Sequence, residues 1–348
     1  MSAQPAPFHP VERAAWARVR ADARLLGAID DFFLADDARL DEQTRVGIAR
    51  LLDRLIGGIE TELRRQAARL LSARAAVVAA EQMLIGEGAA ERLTRAGLLR
   101  DVALMEALIA RVRHDGIAAA LPIALTSHGQ EPTDASLLVR LAAVPDRVVA
   151  TAARALLVAD SKGDLILPVE LQHRLVWWVA ATIRPDAPDP AVDRAIAEAA
   201  VRSLAAHDEG EGGEAVAMRL AAAIDARPDE LAPLLLEALG DRRLALFVAV
   251  LAQAIGLDYA QAQALVLEPE GERLWLALRA AQLDRQTIAR IALALSDADP
   301  RRDIEAFADE LDRIAATESG NARLALAPET LDREFRAAIA ALARSGRR

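Results

Sequence analysis

The chain has 348 residues, 53% hydrophobic and 27% charged, with 3% aromatics, no cysteine and a formal net charge of −10. Without cysteine there is no disulfide framework, thiol nucleophile or zinc–thiolate site, and the negative balance disfavours nonspecific nucleic-acid binding. The apolar content is mostly Ala and Leu, the strongest helix formers, so an all-α fold is expected.

Residues 1–10 read as a disordered tail. The opening MSAQPAPFHPVERAAW lacks the basic region and apolar core of a signal peptide. No window reaches the roughly 18 apolar residues of a membrane span, so a cytoplasmic protein is expected. Residues 11–34 carry Trp16, Val19, Leu26, Ile29 and Phe33 at helical spacing. A long helical pattern covers 41–80, with a break expected at Gly57–Gly58. Further helices are predicted over 89–98, 100–114, 116–126, 134–143, 146–159, 168–184, 190–207, 214–226, 229–239 and 241–255. The last group is 258–267, 271–282, 285–296, 301–317 and 328–345. Pro168, Pro190, Pro228 and Pro300 fall where helices should begin, since a first-turn residue needs no N–H partner. Connections are short apart from 127–133 (SHGQEPT) and the acidic 207–214 (HDEGEGGE), which reads as a solvated linker. The segments group into an N-terminal helical region (11–126), central repeats (134–207) and a C-terminal helical region (215–345).

Many short helices with short turns suggest stacked antiparallel pairs. ELRRQAARLL aligns with RVVATAARAL, setting Leu63, Ala67 and Leu70 against Val148, Ala152 and Ala155. Fainter echoes at Val102, Met105 and Leu108, and at Val192, Ile196 and Ala199, give a period of roughly 40 residues. In the copy AAVPDRVVATAARALL, Val148 and Ala152 should face the core. The expected architecture is a degenerate α-solenoid of HEAT/armadillo-like antiparallel helix pairs, with an irregular helical array as the alternative.

LDEQTRVGIARLLDRLIGGIETELRRQAARLL at 40–71 resembles the opening of the bacterial family called domain of unknown function 2336. LLVRLAAVPDRVVATAARALLVAD and the stretch LAQAIGLDYAQAQALVLEPEGERLWLALRAAQLDRQTIARIAL are similar to it as well. The resemblance could cover most of 40–296. It implies a HEAT-like helical fold and carries over no catalytic residue.

The stretch LQHRLVWWVAATIR, Leu171 to Arg184, holds two of the chain's four tryptophans side by side. Neighbouring helix positions point about 100° apart, so Trp177 and Trp178 occupy different faces. The helix is expected to be covered on both sides with both rings in the core, each burying roughly 150–250 Å². If one ring lies on a groove surface, it is a docking anchor.

Recognised catalytic patterns are missing from the sequence. The lone Lys162 precedes a glycine and so makes no P-loop; GEGGEA at 210–215 follows a helix and carries acids that would repel a pyrophosphate. The five histidines, His9, His114, His128, His173 and His207, have no metal-binding spacing. SDADPRRDIE starts like a calcium loop but sets Arg301 where a ligand is required. Ser127, His128 and Asp134 share a loop in which Thr133 or Asp134 serves as a helix cap.

A non-catalytic helical-repeat scaffold or adaptor is therefore expected, binding a protein partner of basic or amphipathic surface. Cofactors, metals, nucleic acid and a membrane span are not expected. Trp177, Arg174 and His173 are the candidate contact residues, combining an aromatic anchor with polar groups. The alternative is an all-helical sensor that holds a small ligand between helix layers and dimerises through a hairpin in 11–80.

Overall fold

The computed structural model describes residues 39–122 except Glu87, residues 136–332 except Asp164 and Pro188, and residues 335, 336, 338, 339 and 342. Among them are sixteen α-helices, three short 3-10 turns and no strand. The chain divides into two compact units, 1–46 and 47–348, and only 39–46 of the first are described. The predicted tail and the helix at 11–34 lie outside the described residues, as does the loop holding Ser127, His128 and Asp134.

The helices are α1 (Glu42–Ala73), α2 (Val77–Leu84), α3 (Ala89–Arg95), α4 (Val102–Ala120), α5 (Leu137–Leu141) and α6 (Arg147–Lys162). Next come α7 (Val169–Thr182), α8 (Pro190–Ala205), α9 (Gly213–Ile224), α10 (Pro228–Gly240) and α11 (Leu244–Ile255). The last are α12 (Tyr259–Leu267), α13 (Glu272–Ala280), α14 (Arg285–Ala298), α15 (Ile304–Ala316) and α16 (Ser319–Leu326).

Several expectations need correction. α1 runs through Gly57–Gly58 without the expected break. Two mid-helix glycines cost about 1 kcal/mol each. Burying Ile56, Leu63, Ala67 and Leu71 offsets that, at roughly 1.5–3 kcal/mol for each large side chain. The break comes instead at Ala75, which adopts φ 60°. The segments 100–114 and 116–126 are not separate helices where they are described. α4 passes through Gly116, because Leu104, Leu108, His114 and Ile117 form one continuous buried stripe. α16 was not expected, and Pro300 sits in a turn before α15, whose cap is Asp303 accepting from Glu305 N and Ala306 N.

The repeat alignment holds only in part: Ala68 and Ala153, and Leu71 and Leu156, are buried in both copies, but Leu63 and Ala67 are buried where Val148 and Ala152 are not. In α6, Val149, Ala150, Ala153 and Leu156 are buried while Val148 is 67% exposed. The cause is local: Asp146 caps α6 through Val148 N and Val149 N at 2.8 and 3.2 Å. That cap fixes where the first turn starts, and hence which side chains reach the core. Buried Leu63 was therefore aligned with an exposed valine.

In the unit 47–348 the core centres on α11, where Leu244 and every residue from Leu246 to Ala252 are buried. A helix apolar all round must be covered all round, and α4, α9, α10, α12 and α13 cover it. α4 also packs on α14, which in turn packs on α10. These contacts join elements far apart in sequence, whereas a simple stack joins only neighbours. No single described helix is long and apolar enough to cross a membrane. α11 and α12 together pass that test, but they meet at 114° and are largely buried.

Candidate functional site: a polar cavity beside the core helix

The residues nominated on α7 are brought only partly together. Trp177 Nε1 donates to His173 Nε2 at 3.2 Å, with the rings edge-on at 6.3 Å. That bond needs an unprotonated Nε2, so the neutral ring carries its hydrogen on Nδ1. Arg174 turns to Asp101, which also caps α4 by accepting from Leu104 N at 2.9 Å. Neither tryptophan is core: both are half-buried, and Leu171, Leu175, Val176, Val179 and Ala180 fill the buried side of α7. Shorter aliphatics pack more closely there and leave the indoles at the rim.

The acidic 207–214 segment is not a free linker. His207 Nε2 meets Leu167 O at 2.8 Å, Glu209 accepts from Val169 N, and Asp208 accepts from Gly210 N at 2.8 Å. Those bonds hold the N-terminus of α9 in place. Asp299, in the calcium-like stretch, is fully engaged by protein. Arg301 pairs with it at 2.7 Å, and Arg302, itself 7% exposed, lies 3.7 Å away over the Trp275 ring. Among the described residues no group of three His, Cys, Asp or Glu side chains could hold a metal ion.

A different site emerges where α4, α6, α9, α11 and α12 converge around a cavity of about 190 Å³. α4 supplies Arg111, His114 and Asp115; α6 supplies Leu156, Ala159 and Asp160; α9 supplies Gly213 and Glu214. The turn after α10 adds Arg242 and Arg243, and α12 adds Tyr259 and Gln263. Each side chain is placed by local rules. Asp258 and Gln261 form a reciprocal capping box at 2.7 and 2.9 Å that starts α12 at Tyr259. Gln263, one turn on, then shares the face of Tyr259. α10 ends with Arg242 at φ 59°, whose N–H reaches Leu239 O while Arg243 N reaches Ala238 O. Ala75, Asp225 and Gln282 adopt similar backbone, so that strain alone does not mark the site.

The arginines of the lining each bond to the protein, although Arg243 Nε is buried without a hydrogen-bond partner. Arg111 Nε pairs with Asp115 at 2.9 Å, Arg243 with Asp160 at 2.7 Å, and Arg242 Nε donates to Leu121 O at 2.7 Å. Burial lowers the His114 ring from 6.5 to about 4, helped by Arg111 and opposed by Asp115. It is neutral at pH 7, with Nδ1 at 3.5 Å from Gln263 Nε2. Burial raises the Asp160 carboxyl against the pull of Arg243 and Arg111. It raises Glu214 as well, with only Arg111 opposing. Tyr259, 7% exposed, is pushed up by burial first and by the nearby Glu214 carboxylate next. Among the described residues neither Glu214 nor the Tyr259 hydroxyl has a hydrogen-bond partner. Tyr259, Glu214, Arg111, Asp115 and Asp160 all line the cavity.

The architecture and this site together describe an all-helical protein with a polar cavity beside its most apolar helix. Residues 163–323 match the family described as an uncharacterised protein conserved in bacteria, domain of unknown function 2336. The family is the one expected from the sequence. The match lies further along the chain than 40–296 and leaves out the quoted opening at 40–71. It includes Glu214, Arg242, Arg243, Tyr259 and Gln263, whereas Arg111, His114, Asp115 and Asp160 precede it. No curated protein and no solved structure matches the chain.

Proposed function

We propose that the chain is a non-catalytic, all-helical regulatory protein that holds a small polar ligand in the cavity between α4, α6, α9, α11 and α12. The observation that carries this reading is the pair of polar groups without protein partners, Glu214 and the Tyr259 hydroxyl, facing one cavity. Both have free hydrogen-bonding capacity at the cavity wall, which a polar ligand can engage without displacing a protein partner. HEAT-like pairing enters the reading as a local feature, in hairpins such as α7/α8, α10/α11 and α14/α15, with α4 closing the group.

A thermal-shift screen of small polar metabolites against the full-length chain tests it. At least one compound should raise Tm saturably. A Cβ at Gly213 meets no atom within 4 Å, so Gly213→Trp should obstruct the mouth, preserve folding and abolish the shift. A screen with no saturable stabiliser rules the reading out.

A protein adaptor is the second reading, favoured by the apolar side chains that α2 and its flank expose. Val77, Val78, Leu84 and Ile85 are 56–78% exposed, an unusual density for one short helix. Trp177 and His173 would extend such a surface only as a separate patch.

A further inference from the structure

A second cavity opens beside α1, against the segment that joins α6 to α7. Its volume is about 270 Å³, larger than the roughly 150 Å³ of an apolar cavity that accepts benzene. α1 contributes Leu51, Arg54, Leu55, Gly58 and Ile59, which share one helix face at positions i, i+3, i+4, i+7 and i+8. Leu165, Ile166 and Leu167 add aliphatic wall from the joining segment. His207 Nε2 donates to Leu167 O at 2.8 Å and Glu209 accepts from Val169 N, so that wall is fixed in place. Gly58 leaves the room. A helical side chain covers the turn N-terminal to its own Cα, so the bare patch lies over the turn of Arg54 and Leu55. A Cβ at Gly58 meets no atom within 4 Å among the described residues, so no close packing there requires glycine.

Among the described residues, Arg54 is the one permanently charged side chain that lines this cavity, and it forms no hydrogen bond or ion pair. No acid among them lines it. The acids next to His207 are engaged elsewhere, Asp208 accepting from Gly210 N and Glu209 from Val169 N. We infer that this cavity is a second ligand site, which takes a short aliphatic carboxylate. The alkyl chain lies along Leu51, Leu55 and Ile59 over the gap at Gly58, and the carboxylate meets the Arg54 guanidinium. A planar guanidinium donates two parallel N–H groups to a carboxylate, and the aliphatic lining receives the chain. A phosphate monoester would bring a second negative charge, for which the described lining offers no second arginine or lysine. None of these residues lines the polar cavity, so the two sites stand or fall separately.

Octanoate, octanol and octylammonium, each titrated into the full-length chain by thermal shift and calorimetry at neutral pH, test the assignment. Octanoate should raise Tm saturably, octanol should bind more weakly and octylammonium should not bind. Arg54→Gln should weaken octanoate by about tenfold, corresponding to one charge-assisted hydrogen bond, with the unliganded Tm unchanged. Gly58→Leu should fill the gap and abolish binding, with the unliganded Tm unchanged or higher because leucine is the better helix former. Gly213→Trp, aimed at the polar cavity, should leave octanoate binding intact. Gly58→Cys gives the chain its only thiol, which should react with a maleimide and be protected by octanoate. Octanol or octylammonium binding as tightly as octanoate overturns the carboxylate. Octanoate binding that survives Gly58→Leu, or no octanoate binding at all, overturns the site. A Gly58→Cys thiol that never reacts also overturns it, since the cavity is then covered by the chain itself or by a second copy.

Discussion

The α7 surface and the cavity use similar residue types to opposite ends. On α7 an indole N–H meets an imidazole and a guanidinium meets a carboxylate that is already a helix cap, so each polar group is satisfied by a neighbour. In the cavity the arginines bond to the protein at one end while Arg243 Nε stays buried without a partner, and Glu214 and the Tyr259 hydroxyl make no hydrogen bond among the described residues. The richer mixture of aromatic and polar residues is therefore not the more telling one. The α7 groups close on one another, whereas Glu214 and Tyr259 leave hydrogen-bonding capacity at a cavity wall.

That distinction predicts how substitutions should rank. Asp299 is the extreme of a buried group in full use, held by Arg301 and by the buried Arg302. Asp299→Ala should lower stability by about 3–5 kcal/mol in urea unfolding, because it strands a buried guanidinium. A loss under about 1 kcal/mol would mean that burial and partnering do not separate structural from functional polar groups here.

His114 comes next. Its folded ring titrates at about 4 and its unfolded ring at 6.5, so the unfolded state takes up the proton first and stability falls as pH drops through that window. The full effect is about 3 kcal/mol, at about 1.4 kcal/mol per pH unit. Arg111 and Asp115 on its own helix act on the ring, and Asp160, Glu214, Arg242, Arg243 and Tyr259 are the other titratable groups that line the cavity. The check is consequently a difference between proteins: His114→Gln should be less acid-sensitive than wild type by that amount. Equal pH profiles would place the ring in contact with water.

Arg174→Ala should cost less than about 1 kcal/mol, since its ion pair is substantially exposed. Smallest of all is Tyr259→Phe. Removing a buried hydroxyl that bonds to nothing should change stability by under about 0.5 kcal/mol. A loss of 1 kcal/mol or more would reveal a protein partner for the hydroxyl and erase the contrast with α7.

Most helices were legible in the sequence because apolar spacing and caps act within a few residues. Pro190, Pro228 and the Asp258–Gln261 box start their helices as local rules require. Errors came where tertiary burial overrode local preference, as at Gly57–Gly58, or where a single cap set which side chains reach the core, as at Asp146. The cavity was not legible, since its residues come from five segments between 111 and 263 and no short motif contains them. Glu214 was visible only as an acid unsuited to a pyrophosphate, and His114 only as one of five scattered histidines. One clue was present: Tyr259 is the chain's only tyrosine, and a capping box fixes it in place.

That single tyrosine also gives the most direct measurement. Selective 13C labelling of tyrosine yields one ring signal, which reports from inside the cavity. If the cavity is the functional site, a small-molecule extract of the native host should shift that signal and a macromolecular fraction should not. An unmoved tyrosine signal, with Trp177 responding to the macromolecular fraction, would contradict the account and return α7 to the centre of the protein's function.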